Sequence, residues 1–135
     1  MQKWADEVGD QSYTWPQILP YYQKSTNYTP PNTQLRLANA TAPRDEGAFT
    51  AGSGPLHVSY PNYANPLGTF YPAAFESVGL QALPNGVNTG KLIGFSYPTV
   101  TEDPRYETRS SSESSFLQLA LATTKLTVYL SLIHI

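Results

Sequence analysis

Residues 26–54 are the part of the sequence that most constrains the fold. This stretch is rich in Pro, Gly, Asn and Thr, and its apolar residues follow neither a helical nor a strand period. It therefore predicts a long surface loop, and such loops are uncommon in compact domains unless they are functional or mobile. The regular elements have to form on either side of it.

Two short helices are predicted before this loop. In QKWADEVGD, Trp4 and Val8 lie on one helical face and Gly9 follows as a stop. A helix at the very first residues also predicts further sequence upstream. The next helix begins at TWPQ, residues 14–17, where the Thr and the Gln have the spacing of a capping box and Pro is tolerated in the first turn. Pro20 is expected to kink or shorten this helix, because proline lacks a backbone donor.

Strands and helices alternate after the loop. Residues 55–61 place apolar side chains on one face and predict a strand, with His57 on the opposite face as a solvent-facing or hydrogen-bonded histidine. Asn65-Pro66 opens the clearest helix of the chain, which is expected to run to Gly79. Its aromatic stripe predicts a core-facing side.

The last third of the chain predicts two more strands and one helix. Turns at 85–90 precede a strand over 91–100, in which Pro98 indicates an edge or a bulge, and a polar loop follows. A second capping box, S-x-x-E at 110–113, opens a helix that leads to a strand over 126–130. The expected buried face of this helix comprises Phe116, Leu117, Ala120 and Leu121. Together these elements predict an α+β fold.

Composition excludes several classes of function. The net charge is −2 and only 13% of residues are charged, which argues against a nucleic-acid partner and against an anionic membrane surface. There is no Cys, no apolar run of membrane-spanning length and no signal peptide at residues 1–7. Two N-glycosylation sequons, at Asn27 and Asn39, nevertheless favour a secreted, extracellular parent protein.

The sequence carries none of the common catalytic motifs. G-x-G-x-x-G, the P-loop, H-E-x-x-H and G-x-S-x-G are all absent, and the Gly-rich stretch 52–54 predicts a plain turn. His57 and His134 are far apart in sequence, so a histidine-based metal site is not expected. Acidic pairs occur near residues 6–10, 45–46 and 102–103, but their spacing gives no support to a glycosidase pair.

Three stretches together resemble the glucose-methanol-choline (GMC) oxidoreductases. KWADEVGDQSYTWPQILPYYQKS is similar to the family block W-A-x-x-x-G-x-x-x-[WY]-[ST]-[WF]-x-x-[IL]-L-P-Y-[FY]-x-K-S. GPLHVSYPNYANP, with the following FYPAAFESVGL, resembles the middle block of the fungal secreted branch. TRSSSESSFLQLALATTKLTVYL resembles a later block of the same branch, so the similarity covers most of the chain.

This resemblance implies a parent enzyme that oxidises the CH–OH group of an alcohol or sugar by hydride transfer to FAD. It implies that residues 1–130 supply mainly substrate-domain elements, helices with antiparallel strands, and that the Rossmann-type FAD cradle is missing from this chain. The family's glycine-rich FAD motif would lie upstream of Met1, and its catalytic His would lie downstream of Ile135. We therefore assign no catalytic, flavin-binding or metal-binding residue, and we expect the isolated chain to be inactive and poorly stable.

The final residues, LSLIHI, depart from the family pattern. They match a translation of the mosaic-end adapter of transposase-based sequencing libraries, so we interpret 131–135 as a non-native tail. Two alternatives to the flavoenzyme fragment stay open. One is an aromatic-rich extracellular carbohydrate-binding module, which would expose Trp4 and Trp15, and the other is a bare structural or interaction segment.

Overall fold

The N-terminal region folds as two helices separated by a tight turn. A computed structural model describes residues 1–49 and 54–130, and it has helix α1 over Gln2–Val8 and helix α2 over Trp15–Ser25. Gly9 ends α1 in the left-handed region at φ 67°, a conformation that a residue without a Cβ adopts at little cost. A 3₁₀ turn over Gln11–Tyr13 joins the helices. Both predicted helices are confirmed.

Two details of α2 differ from the prediction. The Thr14 hydroxyl donates to the carbonyl oxygen of Gln11 at 2.9 Å and does not cap the helix, so the predicted capping box is wrong. The preceding 3₁₀ turn brings that carbonyl within reach of the hydroxyl before the helix begins. Pro20 does not shorten the helix, which continues through it to Ser25.

The predicted long loop contains a strand at its beginning. Strand β1 covers Thr26–Tyr28 and pairs in parallel with β2, Leu56–Val58, so that Asn27 lies opposite His57. The prediction of an unbroken loop over 26–54 is therefore wrong at its first residues. A three-residue strand is too short for sequence periodicity to reveal, and its partner lies about thirty residues downstream.

The small apolar core is centred on β2 and the residues that follow it. Val58 and Tyr60 are buried on one face, as the alternation predicted, while Ser59 bridges to Val100 with backbone bonds of 3.0 and 2.8 Å. The buried apolar residues of the described chain are Ala5, Ala40, Val58, Tyr60, Ala64 and Leu83. Only one of them is aromatic, so this core is thin for a chain of this size.

The predicted helix over 65–79 forms as two shorter segments. The Asn65 carboxamide oxygen accepts from the Leu67 N–H at 3.0 Å and opens a 3₁₀ turn over Pro66–Thr69, and helix α3 follows over Tyr71–Ser77. Its aromatic stripe was expected to face the core, and this expectation is wrong. Phe70 and Tyr71 are more than half exposed, and of this stripe Phe75 contacts Phe95.

The middle of the chain is more irregular than predicted. Gly86 and Gly90 have positive φ in the two predicted turns, which are thereby confirmed. The strand expected over 91–100 consists of two isolated bridges, at Phe95 and at Val100. The polar loop that follows instead contains a hairpin of β3, Glu102–Asp103, and β4, Thr108–Arg109.

The C-terminal helix begins in a different way from the S-x-x-E prediction. Ser111 and Ser114 bond reciprocally, each backbone N–H donating to the other's hydroxyl at 2.9 and 3.3 Å, and a π-helical turn over Glu113–Leu117 precedes helix α4, Gln118–Thr123. Phe116 and Leu121, expected to be buried, are both exposed. The strand predicted over 126–130 is not formed, since these residues have no described pairing partner, and the predicted non-native tail 131–135 lies outside the described residues.

The α+β class is confirmed, but the chain has an unusually large surface. Its accessible area is 10,080 Å². A compact folded protein of 14.9 kDa would expose about 7,000 Å². Exposed apolar side chains account for part of this excess, among them Ile93 at 89% exposure. None of the helices in the described part of the chain is long and apolar enough to cross a membrane.

Candidate functional site

A buried arginine organises the region between β2 and the loop that precedes it. Arg36 is only 7% exposed, and its guanidinium donates to the carbonyl oxygen of Pro61 and, at 3.4 and 3.3 Å, to those of Ala40 and Thr41. No carboxylate within the described residues pairs with it, and its Nε has no hydrogen-bond partner there. Its charge is therefore balanced by carbonyl dipoles.

Two tyrosine rings complete the surroundings of this guanidinium. The Arg36 Cζ atom lies 5.4 Å from the centroid of Tyr60 and 5.6 Å from that of Tyr97, within the range of cation–π attraction. Burial raises the pKa of the Tyr60 hydroxyl, with Tyr28 adding to the increase, while Arg36 and Arg44 oppose it. This hydroxyl remains protonated at neutral pH and donates to the Pro43 carbonyl oxygen. The unit of Arg36, Tyr60 and Tyr97 thus fixes three chain segments together.

An aromatic cavity of about 520 Å³ lies next to this unit and shares Tyr97 with it. Its volume is within the range of small-molecule sites, about 300–1,000 Å³. Three segments build its walls: the loop before β2, the region around α3, and the irregular strand near the Phe95 bridge. The lining residues are Asn39, Thr41, Pro43, Gly68, Tyr71, Pro72, Phe75, Glu76, Ala82, Leu83, Pro84, Phe95, Ser96, Tyr97 and Pro98. We refer to it as the aromatic cavity.

Two details of the cavity wall concern hydrogen bonding and close packing. The Ser96 hydroxyl is buried and has no hydrogen-bond partner in the described structure. An unpaired buried hydroxyl is unfavourable by about 1–3 kcal/mol. The Tyr97 hydroxyl lies so close to Gly68 that a Cβ there would approach it to 2.3 Å. Phe75 and Phe95 are in tilted contact, with their ring centroids 5.4 Å apart.

A charged cluster lies at the hairpin on the other side of β2. Arg105 donates to Asp103 at 3.0 and 2.6 Å, and these bonds lower the pKa of the Asp103 carboxyl to about 2. His57 Nε2 is 3.9 Å from the same carboxylate, and the His57 backbone N–H donates to the Ser110 hydroxyl at 3.0 Å. The hydrogen bond belongs to the backbone of His57, and its side chain, 28% exposed, lies near the Asp103 carboxylate.

Glu102 lies beside this cluster and has a different environment. Burial raises the pKa of its carboxyl, and the nearby Glu107 adds to the increase. Its Oε1 atom is buried without a hydrogen-bond partner among the described residues. Glu102 and Asp103 are adjacent, yet their pKa values move in opposite directions.

The sequons and the acidic residues are not brought together into one site. Asn39 is exposed at the edge of the aromatic cavity, whereas Asn27 is half-buried within β1. Glycosylation of either residue stays a prediction. In the described ranges, 1–49 and 54–130, no three His, Asp or Glu side chains are placed to hold a metal ion. The other histidine named in the sequence, His134, lies outside these ranges.

Sequence reasoning missed the buried arginine and the cavity. Arg36 stands in LRLANA, where a single arginine between two leucines is the ordinary pattern of an exposed charge. The recurrence of Pro and aromatic residues around 71–75 and 95–98 was the available signal, and it was interpreted as core and as an edge strand. The sequence does not show that these two groups of residues line one cavity, because this depends on the contact between Phe75 and Phe95, about twenty residues apart.

A second, wider depression lies between α1 and α2. Its volume is about 990 Å³, and it is lined by Met1, Lys3, Trp4, Glu7, Tyr13, Ile18, Tyr21, Tyr22 and Ser25. Trp4 is 57% exposed there, and Trp15, on the same pair of helices, is 49% exposed. The helices thus present aromatic side chains outward as well as towards each other.

The chain is similar over nearly its whole length to several fungal enzymes. It is 44% identical over 129 residues to the dehydrogenase pkfF of Emericella nidulans, 46% over 130 residues to patulin synthase of Penicillium expansum, and 44% over 129 residues to the glucose methanol choline oxidoreductase atC of Aspergillus terreus. These matches cover 95–96% of this chain. The chain is homologous to a segment of the fungal GMC oxidoreductases. It spans about a fifth of the length of these relatives.

Two solved structures share the local fold of this chain. An FAD-dependent oxidoreductase from Chaetomium thermophilum, solved with a bound butanamide fragment, superposes with a TM-score of 0.69 at 29% identity, over 87% of this chain and 20% of that one. A fungal aryl-alcohol oxidase shares the fold with a TM-score of 0.65 at 22% identity, over 81% and 18% of the two chains. No protein-family model matches the chain.

The described residues of this GMC segment do not form a cradle for FAD. A pyrophosphate cradle needs a strand followed at once by a glycine-rich turn and a helix. The parallel pair β1–β2 is instead joined by a long connection whose described part, up to Phe49, contains a 3₁₀ turn over Glu46–Phe49 and no α-helix. FAD contacts are therefore not assigned to any residue of this chain.

Proposed function

We propose that the chain forms part of an FAD-dependent oxidoreductase that acts on the CH–OH group of small-molecule alcohols or sugars. The observation that carries this proposal is the 44–46% identity to fungal dehydrogenase, patulin synthase and GMC oxidoreductase chains over 95–96% of the residues. In this enzyme the segment serves as substrate-domain framework, residues 1–130, and FAD is held by other segments of the parent.

The surface of the chain supports its role as a part of a larger fold. The accessible area exceeds that of a compact protein of this mass by about 3,000 Å². Helix α3 and the residues near Ile93 present large apolar side chains to solvent. Large apolar side chains exposed in this way favour contact with further protein. We propose on the same grounds that the chain alone does not oxidise alcohols.

The first experiment is to extend the parent transcript in both directions and to assay its product. We expect the frame to run upstream into a G-x-G-x-x-G and downstream into a late histidine, and the full-length protein to show a flavin spectrum and to oxidise alcohols. The 135-residue chain, expressed alone, should bind no FAD. A transcript confined to these 135 residues, or an alcohol-oxidising 135-residue chain, would overturn the proposal.

A carbohydrate-binding module is the second candidate, and the exposure of Trp4 and Trp15 favours it. A sugar ring stacks only on an exposed aromatic face. In a flavoenzyme segment both Trp rings are expected to pack between helices, but here Trp4 is 57% exposed and Trp15 is 49% exposed. Titration of the isolated chain with soluble glucans, followed by tryptophan fluorescence, separates the two proposals. Saturable quenching that Trp4→Ala abolishes, in a chain without flavin, would favour the module.

We also propose an extracellular location for the parent protein. The two sequons at Asn27 and Asn39 support this assignment. Analysis of culture supernatant and cell extract with an antibody against residues 1–130 would test it. Recovery of the parent only from the cell extract would contradict an extracellular location.

A further inference from the structure

We propose that Asn39, and not Asn27, carries an N-linked glycan, and that the first N-acetylglucosamine of this glycan occupies the aromatic cavity. The proposal rests on the proposed extracellular location, but it does not depend on the oxidoreductase activity. Each sequon has Thr at the third position, but Pro30 follows the Asn27 sequon directly and Ala42 follows the Asn39 sequon. The structure distinguishes them by the surroundings of the two asparagines.

The surroundings of Asn27 do not accommodate a glycan. Asn27 is the central residue of β1, opposite His57 in the parallel pair, and it is half-buried. A bulky sugar at this position would have to displace neighbours of the strand. Asn39 is exposed, and it lies in a turn in which the Thr41 N–H donates to the Asn39 carbonyl oxygen at 3.1 Å.

Arg36 holds the Asn39 sequon against the cavity. Its guanidinium bonds to the carbonyl oxygens of Ala40 and Thr41, the second and third residues of the sequon. The same guanidinium lies over Tyr97, a cavity wall. Asn39 and Thr41 are themselves lining residues, so a sugar attached at Asn39 begins at the cavity and needs no linker to reach it.

The chemistry of the cavity fits an N-acetylhexosamine. The apolar face of a pyranose ring packs on aromatic rings, and the cavity presents those of Tyr71, Phe75 and Phe95. Tyr71 is half exposed, so the sugar would also cover apolar surface that is otherwise in contact with water.

The occupancy of the sequons is tested on the 135-residue chain secreted from yeast behind a cleavable signal sequence. This route passes the chain through the secretory pathway whatever the native location, so the result is independent of the proposed function. Peptide N-glycosidase in ¹⁸O-water releases the glycan and converts the glycosylated asparagine to labelled aspartate. Peptide mapping should then show labelled Asp at position 39 and unchanged Asn27. Asn27→Gln should leave the glycan pattern unaltered, and Thr41→Ala should remove it. An unoccupied Asn39, or a glycan at Asn27, would overturn the proposal.

The cavity contact is tested by trimming the glycan. Endoglycosidase H leaves one N-acetylglucosamine, whereas peptide N-glycosidase leaves an aspartate, for which Asn39→Asp is the matched control. We expect the trimmed protein to unfold about 2–5 °C above the fully deglycosylated one. Tyr71→Ala should abolish this difference, while Tyr63→Ala, exposed and outside the cavity, should retain it.

A second measurement does not depend on variants that fold. In the trimmed wild-type chain, nuclear Overhauser effects should connect the acetyl methyl group with ring protons of Tyr71, Phe75, Phe95 or Tyr97. If the sugar shows no such contacts, or if one sugar gives the same unfolding temperature as none, the glycan does not occupy the cavity and the proposal fails.

Discussion

Replacement of Arg36 by Met tests whether the buried guanidinium stabilises the fold. The change removes a close charged hydrogen bond to Pro61, about 2 kcal/mol, and two longer bonds to Ala40 and Thr41, together about 1 kcal/mol. Loss of the contacts with two tyrosine rings adds about 1–2 kcal/mol. The Met variant also lacks the buried Nε that has no hydrogen-bond partner, and this removal restores about 1–3 kcal/mol of the free energy of unfolding. We expect a net loss of about 1–4 kcal/mol in the free energy of unfolding.

The assay is urea unfolding of wild type and variant, followed by tryptophan fluorescence at a protein concentration low enough to avoid association. A shift of the midpoint at an unchanged slope would measure stability alone. Arg36→Lys keeps the positive charge but lacks the planar guanidinium with its several donors. The free energy of unfolding of this variant should therefore lie between those of wild type and Arg36→Met. Arg109→Met is the matched control, because this arginine is exposed in β4. An Arg36→Met chain within about 0.5 kcal/mol of wild type would refute the assigned role.

Three further substitutions have defined outcomes. Gly86→Ala should destabilise the chain by about 1–3 kcal/mol, since φ is +68° and the new Cβ would lie 2.4 Å from the Pro43 carbonyl oxygen. Gly79 also has a positive φ but has open space around it, so Gly79→Ala should destabilise the chain by only about 1 kcal/mol in the same urea assay. Arg105→Gln should raise the pKa of Asp103 from about 2 towards 3.8 in a carboxyl NMR titration. The pKa of Asp103 is lower in the folded chain than in the unfolded chain, so its ion pair with Arg105 stabilises the fold above pH 3.8. This stabilisation is lost as the pH falls towards 2. An unchanged Asp103 pKa in the variant would contradict the role given to Arg105. Pro20→Ala should increase helicity by circular dichroism, because it restores a backbone donor inside α2, and unchanged helicity would show that the helix tolerates this proline without loss.

Local signals in the sequence were sufficient for helices and turns. Gly9 ended α1 and Asn65 opened the next helical segment as predicted, because capping depends on residues within one turn. The strands were not predictable in the same way. Thr26–Tyr28 is a strand only because Leu56–Val58 lies beside it, and no local period marks three residues.

The candidate site was less predictable than the fold, for the same reason. Arg36 is buried because carbonyls from two separate segments and two distant tyrosines converge on it. None of these partners is visible from the sequence around residue 36. Asn39 was found by its motif, but its position at the cavity, in contrast to Asn27 in a strand, required the tertiary arrangement.

The expectation of a buried aromatic stripe failed in an informative way. Apolar residues at helical spacing over 65–79 predicted a face that packs against protein, yet Phe70 and Val78 are exposed in this chain. Apolar residues at helical spacing indicate that one face of a helix packs against other protein, but they do not identify the element that packs there. The homology to chains five times as long is consistent with a covering element from elsewhere in the parent.

The uncovered surface leads to a prediction about the chain in isolation. Leu92 and Ile93 are adjacent and are 75% and 89% exposed, and such a pair buries apolar area when two molecules meet. We expect the 135-residue chain to self-associate, with a sedimentation coefficient that increases with protein concentration. Replacing both residues by Ser should weaken association, whereas Lys91→Ser, a neighbouring change in a polar residue, should not. A chain that stays monomeric at all concentrations would show that the apolar surface is tolerated in water, and the need for a covering partner would lose its main physical support.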